Sequence, residues 1–127
     1  MLESGGRFCL AVVHPMSSAG HFDGNSLDSP FTIAGSYLER SYCAEHIVRD
    51  GLEITFVSAH RPLQAYVDAP AGAGFLVERL RETDVPDAAI TLPRGRRWQR
   101  MPLFLHIGAL KPATNVSTIS DSVRRIQ

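Results

Sequence analysis

The 127-residue sequence contains few of the residues on which small scaffolds depend. It has two cysteines and no Cys-x-x-Cys pair, which excludes a zinc ribbon and a disulfide framework. Its longest apolar runs, Phe8–Val13 and Leu103–Ile107, are far shorter than the ~18 residues of a membrane-spanning helix. The N-terminus lacks the basic start and apolar stretch of a signal peptide. These absences predict one soluble, cytoplasmic domain over residues 1–127 with no membrane partner.

Motifs for nucleotides and metals are also absent. The sequence contains no P-loop, no Gly-x-Gly-x-x-Gly and no Gly-x-Ser-x-Gly. Its five histidines are scattered, with no His-x-x-x-His or Glu-x-x-His spacing. We therefore expect neither a cofactor nor a bound metal.

The charges are distributed unevenly along the chain. Residues 1–93 hold 12 acidic and 6 basic side chains, whereas residues 94–127 hold 7 basic and 1 acidic. The densest basic part is the segment 94–101, predicted to be a loop, with Arg94, Arg96, Arg97, Trp98 and Arg100. Arginine neutralises phosphate and an aromatic ring stacks on an unpaired base. The preferred prediction is therefore a small non-catalytic protein that binds nucleic acid or an acidic protein surface; a solvated loop is the alternative.

Apolar spacing predicts an α+β fold, in which an antiparallel sheet has one face covered by about two helices. The predicted helices are Phe75–Glu82, where Leu76 and Leu80 lie four apart, and residues 116–126 at the C-terminus. Leu63–Val67 and Ala88–Leu92 are predicted strands.

Asp50-Gly51 is the best turn signal in the sequence. It separates Cys43–Arg49 from Leu52–Ser58 and predicts a hairpin with a two-residue turn. One face then carries Ile47, Leu52, Ile54 and Phe56, and we expect it to be buried. The same register places Cys43 opposite Ser58 with His60 diagonally adjacent, and a thiol beside an imidazole can become a nucleophile. The alternative is a hairpin that frays before these residues, leaving Cys43 as packing.

Gly20-His21-Phe22-Asp23-Gly24 resembles the Gly-His-Phe-x-Gly stretch of hot-dog-fold acyl-carrier-protein dehydratases. That resemblance implies a histidine, His21, working with a carboxylate on the following helix. The family's carboxylate position falls on Gly35, and Glu39 lies four residues further on.

Two alternatives to the binding protein remain open. One is a small enzyme for acyl or thioester substrates that uses His21 with Glu39, or Cys43 with His60. The other is a self-associating protein, a homo-oligomer in which the basic end docks on the acidic remainder of a neighbour.

Overall fold

The computed structural model describes residues 2–113 of the chain. The elements in chain order are β1 (Arg7–Val13), α1 (Pro15–Ala19), β2 (Gly20–Phe22), β3 (Phe31–Ile33), β4 (Ser41–Arg49), β5 (Leu52–His60), α2 (Leu63–Gly72), β6 (Leu76–Thr83), two 3-10 segments (Asp87–Ala89 and Pro93–Gln99) and β7 (Phe104–Leu110). Antiparallel strands combined with short helices confirm the α+β prediction. The C-terminal helix predicted over residues 116–126 lies outside the described residues.

The main sheet has three strands in the order β1-β7-β6, and both neighbours of β7 run antiparallel to it. Leu105, Ile107 and Ala109 alternate along β7 and are at most 1% exposed. Leu10 and Leu80 lie opposite Ile107 from the two flanking strands. Because alternate residues of a strand share a face, this set forms the inner, apolar face of the sheet.

The opposite face of this sheet is open to solvent within the described chain. Phe104 is 43% exposed and its β1 partner, Val13, is 49% exposed. The long edge of β1 that faces away from β7 has no paired strand among residues 2–113. An unpaired edge beside an apolar face is a typical place for another segment to dock.

Strands β4 and β5 form the predicted hairpin. Asp50 (φ +52°) and Gly51 (φ +77°) both lie in the left-handed region, as a two-residue turn of this type requires. Cys43 pairs with Ser58 and the pairing continues without a break to Ser41 and His60. The prediction that one face is buried is wrong, because Ile47, Ile54 and Phe56 are 39%, 43% and 53% exposed. No described element packs over them closely enough to exclude water.

Two elements have a secondary structure opposite to the predicted one. Leu63–Val67, a predicted strand, belongs to helix α2, and Phe75–Glu82, a predicted helix, contains most of strand β6. Gly74, with φ +89°, ends the helical region. Pairing with β7 then favours the extended form of residues 76–83, whatever their local helical spacing.

The two remaining corrections concern short segments before β7. Ala88–Leu92, a predicted strand, contains part of a 3-10 turn at Asp87–Ala89. The arginine-rich segment is also 3-10 helical over Pro93–Gln99, beginning with a proline that fixes the first φ angle.

Candidate functional site

A groove of about 530 Å³ opens at the carboxyl end of β1. Its walls come from the end of β1, from α1, from the open end of the β4–β5 hairpin and from the first turn of α2; they include Val13, Ser18, Cys43, Glu45, Ser58 and His60. We call it the β1 groove. Apolar and polar side chains converge in this concavity, as they do in binding sites for small molecules, so we take it as the candidate site.

His14 positions one wall of the β1 groove. Its ring is 2% exposed, its Nδ1 accepts the Met16 N–H at 3.1 Å, and its Nε2 lies 2.9 Å from Glu82 Oε1. Because Nδ1 accepts, the ring hydrogen is on Nε2 and is donated to the carboxylate. The side chain therefore caps α1, which Pro15 begins, and joins the end of β1 to β6. No sequence motif marks this histidine, although Pro15 directly after it is a helix-start signal.

His60 lies at the base of the hairpin, with a side chain only 6% exposed. Its Nε2 is 2.8 Å from the Tyr37 carbonyl oxygen, and its Nδ1 is 2.6 Å from Ser18 Oγ. A carbonyl oxygen only accepts hydrogen bonds, so Nε2 carries a hydrogen. In the neutral ring, Nδ1 is then an acceptor and the Ser18 hydroxyl donates to it.

Tyr37 connects this histidine to helix α2. Its hydroxyl accepts the Leu63 backbone N–H at 3.0 Å, which satisfies one free donor of the first turn of α2. Its ring packs at an angle against His60, with centroids 5.7 Å apart. One residue therefore fixes both the ring of His60 and the start of the helix that follows it.

The predicted Cys43–His60 proximity is only partly realised. Both residues line the β1 groove, together with the carboxylate of Glu45. Cys43 is exposed and free, but both nitrogens of His60 are hydrogen-bonded to other groups. The structure therefore pairs His60 with Ser18 rather than with Cys43.

His21 and Glu39 do not form the arrangement that the dehydratase resemblance implies. His21 is exposed on β2, and its Nε2 lies 3.6 Å from Asp23 Oδ1. Glu39 follows the short strand β3 in a turn, with no helix between residues 31 and 40. The helix that would carry the partner carboxylate is thus missing from this part of the chain.

Two of the predicted anion-binding arginines hold a loop of the protein itself. Arg97 Nη1 donates to the Gly24 carbonyl and, at 3.0 Å, to Asn25 Oδ1. Arg100 Nη1 donates to the carbonyls of Leu27 and Ser29, at 2.7 and 2.8 Å. These bonds attach the end of the 3-10 segment and the residue after it to residues 24–29.

An aromatic contact reinforces the same attachment. The Trp98 ring packs edge-on against Phe22, with centroids 5.0 Å apart. The Arg97 guanidinium lies 5.2 Å from the centre of that phenyl ring, within the range of a cation–π interaction. Arg94 and Arg96 are exposed, and no side-chain hydrogen bond to another residue in the range 2–113 involves them.

No protein-family model and no curated protein match this sequence. Among the solved structures that are similar to it, two are S-adenosylmethionine-dependent methyltransferases by their descriptions. A "putative S-adenosylmethionine dependent methyltransferase" from Listeria monocytogenes matches with a TM-score of 0.64 and 26% identity, over 87% of this chain and 50% of that one. An S-adenosylmethionine-dependent methyltransferase from Mesorhizobium loti matches with a TM-score of 0.59 and 24% identity, over 86% of this chain and 49% of that one.

The chain thus has the fold of about half of each of these methyltransferases. This finding overturns the preferred prediction of a non-catalytic binding protein, because the fold it shares belongs to proteins described as enzymes. The charge pattern misled that prediction: Arg97 and Arg100 serve an internal contact. In the described range 2–113, no helix is long and apolar enough to cross a membrane.

Proposed function

We propose that this chain is part of an S-adenosylmethionine-dependent methyltransferase and that the β1 groove holds the molecule that is methylated. The observation that carries the proposal is the similarity to the Listeria structure over 87% of the chain. The β1 groove supports it, since it is a concavity of about 530 Å³ that combines apolar side chains with a few polar ones, as binding sites for small molecules do.

The described residues do not by themselves fit S-adenosylmethionine. Rossmann-type folds bind an adenosine group with a glycine-rich turn from a strand into a helix, followed by an acidic side chain for the ribose. Within residues 2–113, the connections from β1 to α1 and from β5 to α2 are His14 and Arg61-Pro62, and neither contains a glycine. We therefore assign the methyl donor to residues outside this range and derive no step through it.

The open edge of β1 supports a composite protein. The neighbours are about twice as long as the matched region, and β1 exposes both an unpaired edge and the face around Val13. We propose that the cofactor-binding half of the fold docks along this strand. Backbone pairing would satisfy its free N–H and C=O groups, and the apolar face would be covered.

The test is to purify the protein from its own cells through a tag, together with whatever it is joined or bound to. Binding of S-adenosylmethionine is measured by calorimetry, and transfer of its labelled methyl group is measured to a panel of small hydroxyl and amine compounds. We expect both binding and transfer. Absence of both would refute the proposal.

Two tryptophan variants on β5 test the position of the acceptor. Ser58→Trp fills the β1 groove and should lower transfer at least ~10-fold without weakening S-adenosylmethionine binding, because it obstructs only the acceptor. Thr55→Trp, three residues away and outside the groove, is the matched control and should retain transfer. Equal transfer rates in the two variants would show that the acceptor does not bind in this groove.

A further inference from the structure

We propose that Ser18 and His60 form a proton-accepting pair for a ligand whose reacting hydroxyl or amine lies in the β1 groove. This inference rests on the proposed function, because methylation of a hydroxyl or amine releases a proton that some group must take. The structure supplies a base with a route to the groove: a buried imidazole behind an exposed hydroxyl.

The hydrogen bonds of His60 make its Nδ1 the accepting atom. The Tyr37 carbonyl holds the hydrogen on Nε2, at 2.8 Å, so the lone pair of the neutral ring lies on Nδ1. That lone pair faces Ser18 Oγ at 2.6 Å. A base oriented by a third group and bonded to a hydroxyl is the arrangement that activates hydroxyl groups in enzymes.

Both charge states of the pair find hydrogen-bond partners. When His60 is neutral, the Ser18 hydroxyl donates to Nδ1. When His60 is protonated, Nδ1–H donates to Oγ, and the Ser18 hydroxyl rotates to the Pro15 carbonyl, 3.1 Å away. Nε2–H remains on the Tyr37 carbonyl throughout. The imidazolium is therefore accommodated without leaving a buried polar group unpaired, which is the usual cost of charging a buried residue.

The proton passes from the ligand to His60 through the Ser18 hydroxyl. The ligand's O–H or N–H donates to Ser18 Oγ, the Ser18 proton moves to His60 Nδ1, and the ligand proton moves to Oγ. The ligand retains the electron pair of its broken O–H or N–H bond, and His60 becomes the cation. Ser18 is regenerated as a hydroxyl and is the member of the pair that forms the hydrogen bond to the ligand.

The first test is the tautomer of His60, read from nitrogen chemical shifts of the ¹⁵N-labelled full chain at a pH where the ring is neutral. We expect hydrogen on Nε2 and none on Nδ1. Hydrogen on Nδ1 instead would overturn the proposal, because His60 would then donate to Ser18 and could not accept its proton.

The second test is independent of methyl transfer and uses 4-nitrophenol, whose phenolate is coloured, as a hydroxyl probe. At a pH below its titration, the native protein should increase the phenolate absorbance, and Ser18→Ala should abolish the increase while Ser18→Thr retains it. The exposed pair of His46 Nδ1 and Thr55 Oγ1, 3.2 Å apart outside the groove, offers the control Thr55→Ala. Equal absorbance for native protein and Ser18→Ala contradicts the pairing.

If methyl transfer is established, Ser18→Ala should lower kcat by about 10²–10⁴-fold. In the plot of kcat against pH, the same variant should also lose the part that follows the ionisation of a single group. Unchanged kcat would overturn the proposal with the methyltransferase assignment intact. Absence of transfer in every variant would instead refute the proposed function, and the tautomer and phenolate results would still decide whether Ser18 and His60 act as a pair.

Discussion

The three-stranded sheet and the β4–β5 hairpin use the same kinds of residue in opposite settings. Ile107 at the centre of the sheet is 1% exposed, whereas Ile54 in the hairpin is 43% exposed. The sheet depends on burial, because β7 has a strand on each side and apolar side chains against its inner face. The hairpin depends on its turn and its backbone pairing, because water reaches its side chains. Regular backbone pairing is therefore no evidence of a buried core. An isolated two-stranded hairpin is only marginally stable in water.

The largest expected effect comes from shortening the same residue type in both regions. Ile107→Ala should lower the free energy of unfolding by about 2–5 kcal/mol, because it leaves a cavity in a packed site. Ile54→Ala should cost less than about 1 kcal/mol, since water already reaches the side chain. Urea denaturation of the two variants measures the difference. Similar losses would mean that the hairpin is covered in solution, by a second copy or by another segment.

A smaller effect is expected at the hairpin turn. Gly51 has φ +77°, so Gly51→Val should cost about 1–3 kcal/mol of backbone strain. Gly72→Ala is the control, because its added Cβ meets no atom within 4 Å and its φ is ordinary. Hydrogen exchange of β4 and β5 amides, measured beside urea denaturation, should show the loss concentrated in the hairpin. Equal stability of the two variants would contradict the turn assignment.

The smallest effect concerns pH and the ion pair across the sheet. Arg7 donates to both oxygens of Glu78, at 2.9 and 3.1 Å, and these hydrogen bonds lower the pKa of Glu78. A carboxylate whose pKa is lower in the folded state stabilises the fold above its unfolded pKa of about 4.3. That contribution is lost as the pH falls through the lower, folded pKa.

Glu78→Gln should therefore reduce stability slightly at neutral pH and flatten its decline in acid. Urea midpoints across a pH series measure this, with Glu53→Gln in the hairpin as the comparison, because Glu53 makes no ion pair with the described residues. The difference should shrink in high salt, since both partners are accessible to water. Parallel pH profiles for native protein and Glu78→Gln would show that the pair contributes nothing.

The conformational preferences of neighbouring residues were sufficient to predict the hairpin but not the secondary structure of other segments such as β6. Asp50-Gly51 specifies a turn through its own backbone preferences, and the pairing of every residue back to Ser41 and His60 follows from it. Leu76 and Leu80 have helical spacing, yet they lie in β6 because β7 offers a partner strand. Competition between a local preference and a distant partner cannot be resolved from one short segment.

In the candidate site, too, some residues could be predicted from the sequence and others could not. The hairpin register predicted His60 as a candidate, but not Ser18 or Tyr37, which are 42 and 23 residues away along the chain. Neither belongs to a motif, and a single serine or tyrosine gives no sequence signal of its own. The arginine segment had the strongest signal and led to the wrong function, because composition does not reveal whether a guanidinium contacts a ligand or its own backbone.

By itself, the sequence determined the α+β class and the register of one hairpin, since both depend on preferences of residues close together in the chain. Tertiary structure alone decided that β7 lies between β1 and β6, that the hairpin has no buried face, and that Ser18 meets His60 at the β1 groove. These features depend on contacts between distant segments. Which distant segments come into contact is decided by the burial and hydrogen bonding of the whole folded chain, and a single short segment does not carry that information.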